Sequence, residues 1–86
     1  MKILLHRNFK KQYKKLTPSY QRRFKERRNL FLQNPFHPLL NNHALHRPYE
    51  GCRSINITGD IRAIYEAVGL DTVHFIALGT HPELYE

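Results

Sequence analysis

Histidine and arginine are the residues with which this chain could do chemistry: six histidines, His6, His37, His43, His46, His74 and His81, occur among 86 residues. An imidazole titrates near working pH, so it can give or take a proton. An arginine fork donates two parallel hydrogen bonds to a phosphate. Together they suit metal-independent cleavage of RNA, in which a 2′-hydroxyl attacks the neighbouring phosphorus. That reaction needs a base for the hydroxyl proton, an acid for the leaving oxygen, and cations for the charge on the phosphorane. The candidates are His43, His46, Arg53, Arg62 and His81. Asp60 could orient a histidine or an arginine, and Tyr49 or Tyr85 could stack on an exposed base. His81 stands out because it follows an apolar strand, after the permissive Gly79 and before the stiff Pro82, a setting that presents a side chain to solvent.

Other chemistries fall away. His43 and His46 are three apart, but no second pair, cysteine cluster or carboxylate stands at ligand spacing, so neither a zinc site nor a cofactor is expected. No Gly-rich phosphate loop or nucleophile elbow is present. His6, His37 and His74 read as structural or surface residues. His43 and His46 equally fit loop histidines that bond the backbone, and Arg53 and Arg62 fit exposed strand residues that discourage edge pairing. The single cysteine, Cys52, has no internal disulfide partner.

The charge is unevenly placed. Residues 1–28 hold eleven lysines and arginines against Glu26, a net +10, while the remainder holds three arginines against six carboxylates, a net −3. Such a block suits a polyanion or an acidic protein partner, since neutralising phosphates releases counterions. Lys10, Lys11, Lys14, Lys15, Arg22 and Arg23, with Tyr49, are the expected RNA-contacting residues. The apolar runs are too short to span a bilayer and no signal-peptide core opens the chain, so a cytoplasmic protein is expected.

The elements that must position these residues follow from periodicity. One domain over 1–86 is expected from the length. Lys2 to His6 reads as a first strand. Phe9, Tyr13 and Leu16 recur at helical spacing, giving a first helix over Arg7 to Leu16. Thr17-Pro18 starts a second helix, with Tyr20, Phe24, Leu30 and Phe31 on its buried side, which Asn34-Pro35 stops. Residues 34–52 read as an irregular connector. Three strands, Arg53 to Thr58, Ile61 to Val68 and Val73 to Thr80, then form an antiparallel meander. The last is apolar on both parities, with Val73, Phe75 and Ala77 alternating with Ile76 and Leu78, which places it inside the sheet. The fold class is α+β, a basic helical hairpin packed on one sheet face.

The stretches Asn42-His43-Ala44-Leu45, Gly51-Cys52-Arg53, Asp60-Ile61-Arg62-Ala63-Ile64-Tyr65 and Gly79-Thr80-His81-Pro82-Glu83-Leu84-Tyr85 resemble the YafQ branch of the RelE/ParE toxin superfamily. The resemblance implies a ribosome-dependent mRNA endonuclease, neutralised by a cognate acidic antitoxin. By position it implies catalytic histidines at His43 and His81, the branch's acid at Asp60 and its closing aromatic at Tyr85. Two positions depart, Asn56 where the branch has a second strand histidine and Ala77 where it has an arginine. Asparagine cannot transfer a proton at neutral pH and alanine cannot contact phosphate, so Arg62 and Arg53 are expected to supply the cationic stabilisation. The superfamily also leaves open a ParE-like inhibitor of DNA gyrase without nuclease chemistry, and a member that only binds its antitoxin.

Overall fold

The structure, a computed structural model, describes residues 1–85. Strand β1 (Lys2–Leu5) leads into helices α1 (Arg7–Lys14) and α2 (Pro18–Gln33), followed by strands β2 (His43–Ala44), β3 (Arg53–Asn56), β4 (Ile61–Ala67) and β5 (Thr72–Thr80), and a short helix α3 (His81–Tyr85). Local chemistry explains the helix starts. The His6 ring nitrogen accepts from the Asn8 N–H and caps α1, and the Thr17 hydroxyl accepts from the Tyr20 N–H and caps α2, with Pro18 in its first turn. Gln21 ties the hairpin together by donating to the Tyr13 carbonyl.

The five strands lie in the order β1-β5-β4-β3-β2, with β1 parallel to β5 and the other neighbours antiparallel. The expected meander is present, and the region expected to be irregular adds two elements to it. Pro38–Leu40 forms a 3₁₀ turn capped by His37, and β2 pairs His43 with Ser54 as a fifth strand. The 3₁₀ turn ends on Asn41, whose left-handed backbone (φ 45°) is one that asparagine tolerates. A two-residue strand is too short to show periodicity.

The sheet is covered on both faces. On one, α1 and α2 press Phe9, Phe24 and Phe31 against Ile55, Ile61, Ala63, Tyr65 and Phe75. Phe75 is the hub, with ring centroids 5.6–6.0 Å from those of Phe9, Phe24, Phe31 and Tyr65. Tyr20, expected on the buried side of α2, is instead exposed. On the other face a smaller cluster of Cys52, Ile64, Ala77 and Leu84 is flanked by Leu45, Tyr49, Ile76 and Tyr85. A bulge makes this possible. Ile64 pairs with Ala77 but Tyr65 with Phe75, so Ile76 is an extra residue and the alternation of β5 shifts by one. Val73 and Phe75 face the helices, whereas Ala77, grouped with them by simple alternation, faces the opposite side. Beyond the end of β1, the Leu78 N–H is satisfied by Gln12 from α1 at 2.7 Å.

Candidate functional site

The β3–β4 turn is built by Thr58, whose hydroxyl accepts from the N–H groups of Asp60 and Ile61 at 3.1 and 3.0 Å. Arg62, one residue into β4, turns back over this loop and donates from one terminal nitrogen to the carbonyls of Thr58 and Gly59, each at 3.0 Å. The turn therefore holds one terminal nitrogen of the guanidinium. Across the ladder Arg62 pairs with Asn56 on one side and Gly79 on the other, so it lies on the sheet face away from α1 and α2.

At the end of β5 the chain closes into α3 by a reciprocal cap. The Thr80 N–H donates to Glu83 Oε1 at 2.7 Å, and the Glu83 N–H to the Thr80 hydroxyl at 3.3 Å. This is a capping box. Thr80-His81-Pro82-Glu83 carried the signature, Thr then Glu three residues on with a proline in the first turn, which marks a helix start where the sequence reading stopped at a strand end. Gly79 leaves room for it, since a Cβ there would stand 3.1 Å from the Glu83 carboxylate and push it aside by a few tenths of an ångström. The two Thr80 hydrogen bonds, backbone first, hold the Glu83 carboxyl below its ordinary range. A lowered folded pKa adds stability above the unfolded value and loses it as pH falls through the folded value. The protection factor of the Glu83 amide, its slowing relative to the intrinsic exchange rate at each pH, should therefore fall as pH drops below about 4.5. Thr80→Ala, which removes the hydroxyl half of the cap, should raise the exchange rate of the same amide at neutral pH by roughly fivefold, for a cap worth about 1 kcal/mol.

With α3 in place, Gly59, Asp60, Arg62, Thr80, His81 and Pro82 line a cleft of about 370 Å³. The His81 ring lies on Tyr85 with centroids 4.6 Å apart, and Tyr85 meets Tyr49 edge-on at 5.4 Å. The Tyr49 hydroxyl donates to the Leu84 carbonyl at 2.9 Å, clasping the 45–52 loop to α3. Burial, and then the neighbouring Tyr49, push the Tyr85 phenol up, with Arg62 pulling the other way, so Tyr85 remains a neutral donor at working pH.

Among the sequence candidates, the structure thus brings together Asp60, Arg62, His81, Tyr85 and Tyr49. His43 does not line the cleft. It sits across the sheet on edge strand β2, opposite Ser54 and on the same face. Its Nδ1 stands 2.7 Å from the Asn41 carbonyl, which can only accept, so Nδ1 carries the proton and Nε2 of the neutral ring holds a lone pair. His46 is exposed in the loop after β2 and does not line the cleft either.

Arg53 is not brought to Arg62. It pairs with Tyr65 and faces the helices, where it donates to the Asn42 side chain at 2.8 Å and lies 5.3 Å from the Phe36 ring centroid. The expectation that Arg53 and Arg62 act on one phosphorane is corrected by strand alternation: an odd step along β3 and β4 sends them to opposite faces. His6 and His37 are caps, and His74 stands 3.7 Å from Glu66. Among the described residues no group of three or more His, Cys, Asp or Glu could hold a metal ion, and no helix is long and apolar enough to cross a membrane. Lys10, Lys11, Lys14, Lys15, Arg22 and Arg23 are exposed on the hairpin, and Tyr49 is half-buried in the α3 clasp.

The family model described as the bacterial toxin of type II toxin-antitoxin system, YafQ, matches residues 1–86. The fold is similar to that of YafQ from E. coli strain BL21(DE3), with TM-score 0.82 and 22% identity over 98% of this chain and 97% of that one. It is also similar to a chain of the E. coli DinJ-YafQ toxin-antitoxin complex, with TM-score 0.79 and 20% identity over 98% and 96% of the two chains. For the YoeB/ParE toxin from Agrobacterium tumefaciens the TM-score is 0.77 and the identity 20%, over 94% of this chain and 99% of that one. No curated protein matches the chain significantly.

Proposed function

Because the chain belongs to the YafQ family of toxins of type II toxin-antitoxin systems, we propose that it is a metal-independent endoribonuclease that cuts mRNA on the ribosome. The observation that carries this reading is the cleft itself, which His81, Arg62 and Asp60 line together. His81 acts as general acid toward the leaving 5′-oxygen. Arg62 keeps donors for the phosphorane beyond those it spends on the turn. His43, with its Nε2 lone pair set by the Asn41 carbonyl, takes the 2′-hydroxyl proton from across the sheet. Asp60 orients the charged partners, and Tyr85 supports the His81 ring.

Mapping transcript ends after brief induction tests this directly. Fresh 5′-hydroxyl ends within translated frames are expected. DNA damage signalling with intact transcripts would point to gyrase instead, and neither effect would leave a chain that only binds its antitoxin. The split of the two arginines gives a sharper expectation. Arg62→Ala should slow cleavage by about 10²-fold, as for loss of one transition-state donor, whereas Arg53→Ala should stay within about threefold of wild type. Equal losses from both would refute the one-sided site.

The basic hairpin supports ribosomal RNA docking, with exposed Lys10, Lys11, Lys14, Lys15, Arg22 and Arg23 placed to neutralise phosphates. The same charge suits an acidic antitoxin, and the similar chain of the E. coli DinJ-YafQ complex has an antitoxin as its partner. Between α1 and α2 a groove of about 330 Å³ has an apolar floor of Leu5, Phe9, Tyr13 and Phe24 and a rim of Lys10, Lys14, Lys25 and Arg28. Apolar contact within a cationic rim fits a carboxylate-rich peptide.

A further inference from the structure

Two buried side-chain oxygens, Ser54 Oγ and Asn56 Oδ1, have no hydrogen-bond partner, and they are the only such side-chain atoms among the described residues. A buried polar atom left unpaired costs stability, so native folds retain few of them without a reason. Both belong to β3, two residues apart, and therefore share a face. Ladder pairing fixes which one. Ser54 lies opposite His43 on β2 and Ile64 on β4, and Asn56 lies opposite Arg62. Ser54 is only 1% exposed, so no accidental surface position explains its missing partner.

The placement is specific to the chemistry. His43 and Arg62 stand on the strands flanking β3, so RNA that reaches from one to the other must cross β3 where Ser54 and Asn56 lie. The geometry points to these two residues as a nucleotide-binding rung on the floor of the site. Their oxygens accept hydrogen bonds from the N–H or O–H donors of the nucleotide next to the scissile phosphate. This rests on the nuclease reading above. A serine hydroxyl and a side-chain amide each offer a donor as well as an acceptor, which suits either a ribose hydroxyl or a base edge. Asn56 is half-buried, and its amide turns about a broad two-fold last torsion that exchanges the positions of oxygen and nitrogen. Ser54 lies beside Ile64, which packs in the cluster with Leu84 and Tyr85, so its part in the rung requires that cluster to open toward RNA. Neither residue moves a proton. They place the substrate between groups that do.

Ser54→Ala and Asn56→Ala separate a binding role from a packing fault. Removing an unpaired buried oxygen leaves Tm unchanged or raises it. Each variant should nevertheless cleave ribosome-bound mRNA about tenfold more slowly, the loss expected for one hydrogen bond. Each should also bind about tenfold more weakly to ribosomes programmed with an RNA that has 2′-deoxyribose at the scissile position, which lacks the nucleophile and cannot be cut. Two further substrates identify the donor. If it is the ribose hydroxyl of the flanking nucleotide, wild type loses the same factor on RNA that is 2′-deoxy there, and the variants lose nothing more. If it is a base edge, that pattern moves to RNA with an inosine or purine analogue at that nucleotide. Variants that cut and bind like wild type, with Tm raised, would overturn this inference and leave the nuclease reading standing. Wild type that binds the uncleavable RNA but never cuts RNA overturns the nuclease reading alone, provided the variants still bind more weakly. Wild type that neither binds nor cuts overturns both.

Discussion

Replacing His81 by alanine should lower cleavage of ribosome-bound mRNA by about 10³-fold and abolish growth arrest on induction. The size follows from the absence of a substitute. His81 is the one imidazole that lines the cleft; His43 and His46 do not, and His6 and His37 are spent on caps. A general acid contributes roughly 10²–10⁴-fold when it sits at the leaving group, and water replaces it poorly. The side chain is exposed at the first position of α3, so its truncation should leave thermal unfolding within about 2 °C of wild type. A cleavage rate unchanged by the substitution would remove His81 from the chemistry. A histidine acting as acid also implies that the alkaline limb of the pH–rate profile disappears in the variant, which a merely supporting role against Tyr85 would not produce.

Phe75→Ala should be the most costly substitution for the fold, by about 4 kcal/mol. The ring is 0% exposed and meets four other aromatic rings, so its loss leaves a cavity that both helices and β4 would have to close. In a domain whose whole stability is about 5–15 kcal/mol, that is a large share. The unfolding midpoint should fall by roughly 15–30 °C. Leu70→Ala, at a side chain standing clear of the protein in the β4–β5 turn, should change it by less than about 3 °C. A small shift for Phe75→Ala would mean that the core is not organised around that ring.

The helices and the meander were legible because their signals are local. Phe9, Phe24 and Phe31 keep helical spacing, Thr17-Pro18 is a cap followed by a permitted proline, and Gly59-Asp60 separates two runs of alternating apolar residues. The sharing of a cleft by Arg62, Asp60 and His81 was partly legible, since a turn after β3 and the end of antiparallel β5 must lie at the same edge. What escaped was whatever depends on parity or on contacts far apart in the chain. Arg53 looked equivalent to Arg62 because both are strand arginines, yet the faces they take follow from the register of three strands. His43 gains its strand and its tautomer only through Ser54 and a left-handed Asn41. The α3 capping box was written plainly in Thr80-His81-Pro82-Glu83, but one turn of helix is too short for apolar periodicity to announce it.

The extra residue in β5 has a bearing on how such chains change over time. Because Ile76 and Ala77 both belong to the cluster opposite the helices, a relative shorter by one residue at that point would still send Phe75 into the core and keep Gly79 opposite Arg62. A loss at Leu78, with the bulge kept, would instead put the end of the strand out of frame and carry Gly79 to the helix-covered side. Length drift is thus absorbed most easily at the bulge, and an alignment gap between this chain and a divergent homologue belongs at Ile76 or Ala77 rather than next to His81.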